Sequence, residues 1–223
     1  MAYVAPSTVT TLQTYTSAAH NIIVNDIIDH EARLNSYAGV YTNEAARDAA
    51  ITSPTEGMSV YLTAPTVPTA TGAITAIPTG VTTIYNGSVW VCVTPVAAKS
   101  NTGASTTSTS YVTTLTGDAT ALSVTLVTGT TAYISMHGNF SNNTSTASTY
   151  ISYSVSGATT IAASDTNGQR FQVSDSYNKP IIRVGIVTGL TAGTNTFTFA
   201  YRCSTSAATS YFDSRDIVVA GIS

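Results

Sequence analysis

Few side chains in this sequence can do chemistry, and those that can are thinly spread. Three histidines, two cysteines, 11 Asp and Glu and 8 Lys and Arg stand among 42 Thr and 26 Ser. With hydroxyls this common, a Ser or Thr near His137 identifies no nucleophile. No Gly-x-Ser-x-Gly elbow, zinc-type histidine spacing or glycine-rich phosphate loop is present. Cleavage of a glycosidic bond needs two carboxylates ~5 to 10 Å apart. Asp213 with Asp216, or Asp165 with Asp175, are the pairs on offer, and an Asp in a turn-rich segment more commonly caps backbone amides. No catalytic residue is assigned, and the chain is expected to act by binding, not as an enzyme.

Sugar recognition asks for rings that cover an apolar sugar face, with planar donors or acceptors beside them. Tyr133, His137, Tyr150, Arg183 and Arg202 fall on the outward faces of expected strands, and Tyr211 in an expected loop with Phe212. These are the candidate ligand-binding residues. Tyr and Arg are equally favoured in subunit contacts, so an interface is the competing use for each. His20 and His30 sit at core-type positions of a helical seam, where a trimer would gather three imidazoles able to hold an anion or a metal ion. Packed against Ile23 and Ile27 they read as neutral core histidines, and no metal or other cofactor is expected.

The elements that must position these groups are of two kinds. His20, Ile23, Ile27, His30, Leu34, Tyr37 and Tyr41 recur at steps of three and four, a narrow stripe typical of a coiled coil. Thr16 or Ser17 can cap this helix and Gly39 can end it, giving a length of about 33 Å at 1.5 Å per residue. Isoleucine at both core positions, Ile23 and Ile27, favours three or four strands over two, so the seam points to a homotrimer. A short helical turn over 43–50 runs towards Pro54, after which the apolar period becomes two. Strands are expected over 58–62 and in a hairpin, 83–91, turned by Asn86-Gly87 with type I′ geometry. Trp90 is its core anchor. The stretch 64–80 carries three prolines and reads as a loop, and 99–110, nearly all Ser, Thr and Gly, reads as a linker.

Strand patterns then follow at 121–127, 131–140, 150–156, 170–173, 181–188, 196–203 and 217–220, the spacing of an all-β sandwich. The run from Ile181 to Val187 is apolar on both faces apart from Arg183, so this strand should be central or lie at a subunit contact. Cys92 and Cys203 fall in what read as separate domains, as two small buried hydrophobes with no disulfide between them.

Composition narrows the partners. Charged residues make up 9% of the chain, with a net charge of −3 and no Lys or Arg cluster; this argues against nucleic acid or an anionic membrane, both of which select basic patches. No basic residue precedes Arg33 and no apolar run approaches the ~20 residues of a membrane span, so neither a secretory signal nor membrane insertion is expected.

Three stretches resemble bacteriophage virion fibre proteins, the group of tail fibres, minor tail proteins and head fibres. The segment from Tyr15 to Asp26 is similar to the short opening that precedes trimerising helices there. Arg47 to Ile51, Pro54 to Tyr61 and Ile84-Tyr85-Asn86-Gly87-Ser88-Val89-Trp90-Val91 resemble a small module in which a Pro-x-x-Gly turn leads a strand and a Tyr-Asn-Gly-Ser-x-Trp hairpin closes it. Gly189 to Phe197, Tyr201-Arg202 and Arg215 to Val219 are similar to the last strands of fibre tip domains. The resemblance implies a mainly β protein in four parts: an attachment segment and trimerisation helix over 1–41, a small β-hairpin module over 42–98, a linker over 99–110, and a jelly-roll-like antiparallel sandwich over 111–223. It implies a homotrimer on the virion surface, made in the host cytoplasm, joined to other virion proteins by its N-terminal region, with a head for host-surface glycan. A head fibre or decoration protein stabilising the capsid at a symmetry axis is the alternative reading; a polysaccharide-degrading enzyme is a remote third.

Overall fold

The computed structural model describes residues 37–172 and 179–222. The seam residues His20, Ile23, Ile27, His30 and Leu34 lie outside them. Tyr37 and Tyr41, expected as the last seam positions, belong instead to a strand, β1 (Tyr37–Tyr41). Gly39 adopts φ +107 within it, which helical backbone cannot accommodate, and the main chain just beyond is engaged sideways: the N–H of Thr63 donates to the carbonyl of Tyr41 at 2.9 Å, and that of Ala64 to Thr42 at 2.7 Å.

Helix α1 (Glu44–Ala50) forms where the sequence places it, because Asn43 caps it by accepting from the N–H of Ala46 at 3.0 Å. Next come β2 (Ser59–Leu62), β5 (Val81–Tyr85) and β6 (Trp90–Cys92), which with β1 make a four-stranded sheet ordered β1-β2-β5-β6. The hairpin differs from expectation. Tyr85 pairs with Trp90, leaving four residues in the loop, and only Gly87 takes a positive φ there, whereas type I′ needs it at both central residues. Asn86 prevails by a different device: its side-chain oxygen accepts from the N–H groups of Ser88 and Val89 at 3.1 and 3.0 Å, an Asx turn.

Between β2 and β5 the proline-rich stretch holds two short strands, β3 (Thr69–Thr71) and β4 (Ile74–Ala76). The expected linker also pairs: β7 (Val96–Ser100) runs into it and β8 (Ala104–Thr106) lies inside it, both antiparallel to the last strand, β15 (Ser210–Ile222). Low hydrophobicity misleads at 99–110 because β7, between β15 and β4, and β8 are held by ladder hydrogen bonds, which need no apolar side chains. Residues 38–223 form one compact unit.

All seven strands expected beyond 111 have counterparts: β9 (Ser123–Thr128), β10 (Thr131–Asn142), β11 (Ser148–Gly157), β12 (Gln169–Gln172), β13 (Lys179–Thr188), β14 (Gly193–Cys203) and β15. One sheet has the order β13-β10-β15-β7-β4, with β8 also on β15, and the other β12-β11-β14-β9-β3. Strands β7 and β9 to β15 thereby trace interlocked antiparallel connections between two sheets, the path of a jelly-roll-like sandwich, whose first strand comes from the segment expected as module and linker. The core is shared: Phe197, Phe199 and Tyr201 of one sheet, Ile134, Met136, Phe140 and Phe212 of the other, and Val60, Leu62 and Trp90 of the four-stranded sheet belong to one cluster.

Alternation in β15 slips once. His137 of β10 pairs with Asp216, but Asn139 pairs with Asp213, so β15 carries one extra residue. Ser214 takes φ 48 at this bulge, which lets both Phe212 and Ile217 face inward.

Strand β13 lies at an edge of its sheet, so the central position expected for it is overturned. Its register with β10 sets Ile181, Arg183, Gly185 and Val187 opposite Gly138, Met136, Ile134 and Ala132, on the inner face, and turns Ile182, Val184 and Ile186 outward. Cys92 and Cys203 are buried free thiols, and burial pushes the Cys92 thiol up to about 11.

Candidate ligand-binding site

Register alone assembles one polar row on the outer face of the five-stranded sheet. Tyr150 of β11 is directly opposite Arg170 of β12 on one side and Arg202 of β14 on the other. The Arg202 guanidinium carbon lies 3.5 Å from the centre of the Tyr150 ring and that of Arg170 5.9 Å, cation–π contacts that hold both guanidiniums against the ring. Arg202 is also clamped by Asp165, donating to it from Nη2 at 2.6 and 2.8 Å and from Nε at 3.1 Å. Tyr111 donates to the same carboxylate at 2.9 Å.

Asp165 reaches the row because its loop is tied to the face of the sheet. Ser152 Oγ donates to the carbonyl of Ser164 at 2.8 Å and accepts from its N–H at 3.2 Å. The electrostatics are settled locally: Arg202 holds the Asp165 carboxyl below its ordinary value, Tyr111 adding to the effect. Burial, and then the neighbouring carboxylate, push the Tyr111 phenol up to about 12. Asp165 is therefore a counter-ion and not a proton donor at neutral pH.

Arg202 is committed to Asp165, with a side chain only 14% exposed, and the Tyr150 ring already meets two guanidiniums. Arg170 is the group left to act. It is exposed, positioned by Nε donation to Ser148 Oγ at 3.0 Å and by a longer contact from Nη2 to Gln172 at 3.4 Å, and it keeps donors directed to solvent. Two arginines against one aspartate leave the cluster with one net positive charge.

Further along the same face, past the buried Ser152 and Ala200, hydroxyls stand in cross-strand rows: Ser154, Thr198, Ser123 and Thr71 in one, Ser156, Thr196, Thr125 and Thr69 in the next. Thr125 and Thr196 are 2.8 Å apart through their hydroxyl oxygens. A cationic donor with rows of hydroxyls ~13 Å further along the strands can hydrogen-bond an extended polyhydroxylated ligand bearing an acidic group.

The six candidate residues separate into distinct places. Tyr150 and Arg202 come together in this cluster. Tyr133 and His137 are on the outer face of the six-stranded sheet, where His137 Nδ1 lies 3.3 Å from an Asp216 carboxylate oxygen. Arg183, expected to point outward, is on the inner face of β13, because pairing with β10 puts it opposite Met136; a run apolar on both faces does not reveal which face is inside. Tyr211 is 44% exposed and lies on a β-strand, not in a loop, lining an open cleft of about 490 Å³ with Ser105, Thr116, Ser141 and Asp213.

Sequence reasoning missed Arg170, Asp165 and Tyr111 as site residues. Arg170 was recoverable from its strand pattern, whereas Asp165 and Tyr111 join from segments 37 and 91 residues from Arg202 in the chain. The carboxylates weighed as a catalytic pair have other partners: Asp213 accepts from the N–H of Ser214 at 2.7 Å, Asp216 faces His137, Asp165 is held by Arg202, and Asp175 lies outside the described residues. Among the described residues, no group of three His, Cys, Asp or Glu side chains could hold a metal ion.

No protein-family model matches this sequence, and no curated protein matches it. Among solved structures, a chain of infectious bursal disease virus Gx strain is similar at 12% identity and a TM-score of 0.39 over 63% of this chain and 41% of that one. This chain thus spans less than half of that viral chain. TmCBM61 in complex with β-1,4-galactotriose is similar at 9% identity and TM-score 0.25, covering 55% and 68% of the two chains. The CBM22-1 xylan-binding domain from Paenibacillus barcinonensis is similar at 10% identity and TM-score 0.23, covering 57% and 87%. Likenesses this distant carry no functional information to the present chain.

Proposed function

We propose that this protein is a structural component of a virus particle of the phage-fibre kind, a homotrimer held by the helix seam ahead of residue 37, whose β-sandwich binds a host-surface glycan. The observation that carries the glycan reading is the Arg170, Tyr150 and Arg202 row, braced by Asp165, with uncharged hydroxyl rows further along the same face. A sugar acid supplies the carboxylate that Arg170 can grip and the hydroxyls that the threonine rows can exchange with. The protein acts by binding, and no loss of polysaccharide chain length is expected on prolonged incubation.

Purified trimer should adsorb to host cells and bind an acidic surface polysaccharide in preference to a neutral one. Arg170→Ala should weaken that binding about 10- to 100-fold, as one charge-assisted hydrogen-bonding group contributes ~1.5 to 3 kcal/mol. Its thermal midpoint should not change, because the side chain is exposed. Lys99→Ala, on the other sheet, should bind as wild type. Adsorption unaffected by Arg170→Ala would remove the site, and absence of adsorption together with copies located on the capsid shell would favour the decoration role.

A further inference from the structure

The edge strand β13 is built in a way that its sheet does not explain. Ile182, Val184 and Ile186 are 63, 54 and 55% exposed, on a ten-residue edge strand, where folded proteins normally place short strands, charges or bulges to prevent pairing with another chain. Lys179 and Pro180 guard its first two positions, and beyond them one guard is present, since Arg183 points inward. Its Nε is nevertheless buried without a hydrogen-bond partner. Two residues on, Gly185 faces open space: a Cβ there would meet nothing within 4 Å.

These oddities are complementary under one symmetry operation. If β13 pairs antiparallel with β13 of a second copy about a two-fold axis at Val184, then Val184 meets Val184, Ile182 meets Ile186, and Arg183 meets Gly185 of the second copy. The apolar residues then form three adjacent β-branched cross-strand pairs, a favoured type. The bulkiest inner side chain falls opposite the only residue with no side chain, where there is room for it and a second main chain within reach of its unsatisfied nitrogen. A register shifted by two residues would keep two of the apolar pairs but lose the match of Arg183 to Gly185.

We propose that β13 is a self-complementary docking edge through which two copies of this chain join their six-stranded sheets into one continuous sheet. The contact is isologous and independent of the helix seam, so with a seam trimer it links one trimer to the next. It does not rest on the glycan reading.

The test uses the full-length chain with Val184→Cys. Paired Cα atoms across an antiparallel ladder are ~4.5 to 5.5 Å apart, inside the ~4.4 to 6.8 Å span of disulfides, and the native Cys92 and Cys203 are buried. Mild oxidation with diamide should therefore give a covalent dimer, with peptide mapping placing the crosslink between the introduced thiols of the two copies. Thr188→Cys, placed far from its own copy in this register, should not couple. Adding Gly185→Lys to Val184→Cys should fill the space needed by Arg183 and set a like charge directly opposite it, slowing coupling at least tenfold, and each variant should keep the wild-type thermal midpoint. No coupling at position 184, equal coupling at 184 and 188, or coupling unaffected by Gly185→Lys would overturn the proposal. Sedimentation of the unmodified chain gives a second reading: a concentration-dependent increase of mass that Gly185→Lys abolishes is expected, and identical masses for the two proteins at all concentrations would also overturn it.

Discussion

Replacing Arg215 by methionine should lower the free energy of unfolding by about 3 to 5 kcal/mol, the cost of leaving a buried charge without its partner. The Arg215 side chain is 1% exposed and that of Asp118 8%. The guanidinium donates to Asp118 through Nη2 and to the carbonyl of Thr102 at 3.3 Å. It also lies against the ring of the fully buried Tyr201, 5.4 Å from its centre. Ser100 of β7 donates to the same carboxylate, so this one ion pair joins β15, the end of β7 and the loop before β9. Removing both charges, as in Arg215→Met with Asp118→Leu, should cost clearly less than the single substitution, because no ion is then stranded.

Acid supplies the sign of a second measurement on the same pair. Burial raises the Asp118 carboxyl, but hydrogen bonds from Ser100, the N–H of Thr120 and Arg215 outweigh it, and the group titrates below its ordinary 3.8. A depressed folded-state value means that the stabilisation is complete above the unfolded value and is lost as pH falls through the folded one. Wild type should therefore lose stability on acidification below about pH 4. In Arg215→Met the stranded carboxylate is relieved by protonation, so urea midpoints of variant and wild type should converge between pH 6 and pH 3. A constant gap across that range would mean that the pair does not carry the effect.

Trp90→Ala should destabilise the whole of residues 38–223 by about 3 to 5 kcal/mol, in the range for aromatic truncation in a core. Trp90 is 8% exposed, its ring is 5.4 Å from that of Tyr85, and the Arg47 guanidinium carbon sits 4.8 Å from its centre. Arg47 is itself nearly buried and paired with Asp48 at 2.8 Å, so the substitution also strips a buried cation of the ring that shelters it. Trp90 lines a cavity of about 300 Å³ together with Val127 and Thr194 of the sandwich, and neighbouring Val91 leaves no space at Gly221 of β15, where a Cβ would lie 2.5 Å from its side chain.

Calorimetry should accordingly show a single transition moving down as one, and Trp90→Phe should recover most of the loss. A variant that melts in two steps, with the later one at the wild-type temperature, would restore the hairpin module as an independent domain. Trp90 is the only tryptophan, so circular dichroism and not fluorescence must follow this variant.

The sequence made the chemistry of single elements legible. Clean alternation in β10 and β14 assigned inner and outer faces before any partner strand was known, because a period of two is fixed within the strand. The helical turn over 43–50 and the hairpin at Asn86-Gly87 were visible for the same local reason. Tyr150 and Arg202 were chosen from strand faces, and both stand in the cluster.

What failed was everything that depends on a partner distant in the chain. The pattern around Arg183 could not say which face is inside, since only register with β10 decides it. Residues 99–110 looked like a linker because ladder hydrogen bonds to β15 leave no hydrophobic signature. Asp165 and Tyr111 meet Arg202 only once the loop of one and the segment of the other fold over the outer face. Composition and periodicity thus determined a charge-poor, mainly β chain with polar and apolar faces on known strands. Tertiary structure alone decided which strands are edges, which charges are buried in pairs, and that the hairpin and the sandwich share one core, because these follow from contacts across the chain that no local pattern encodes.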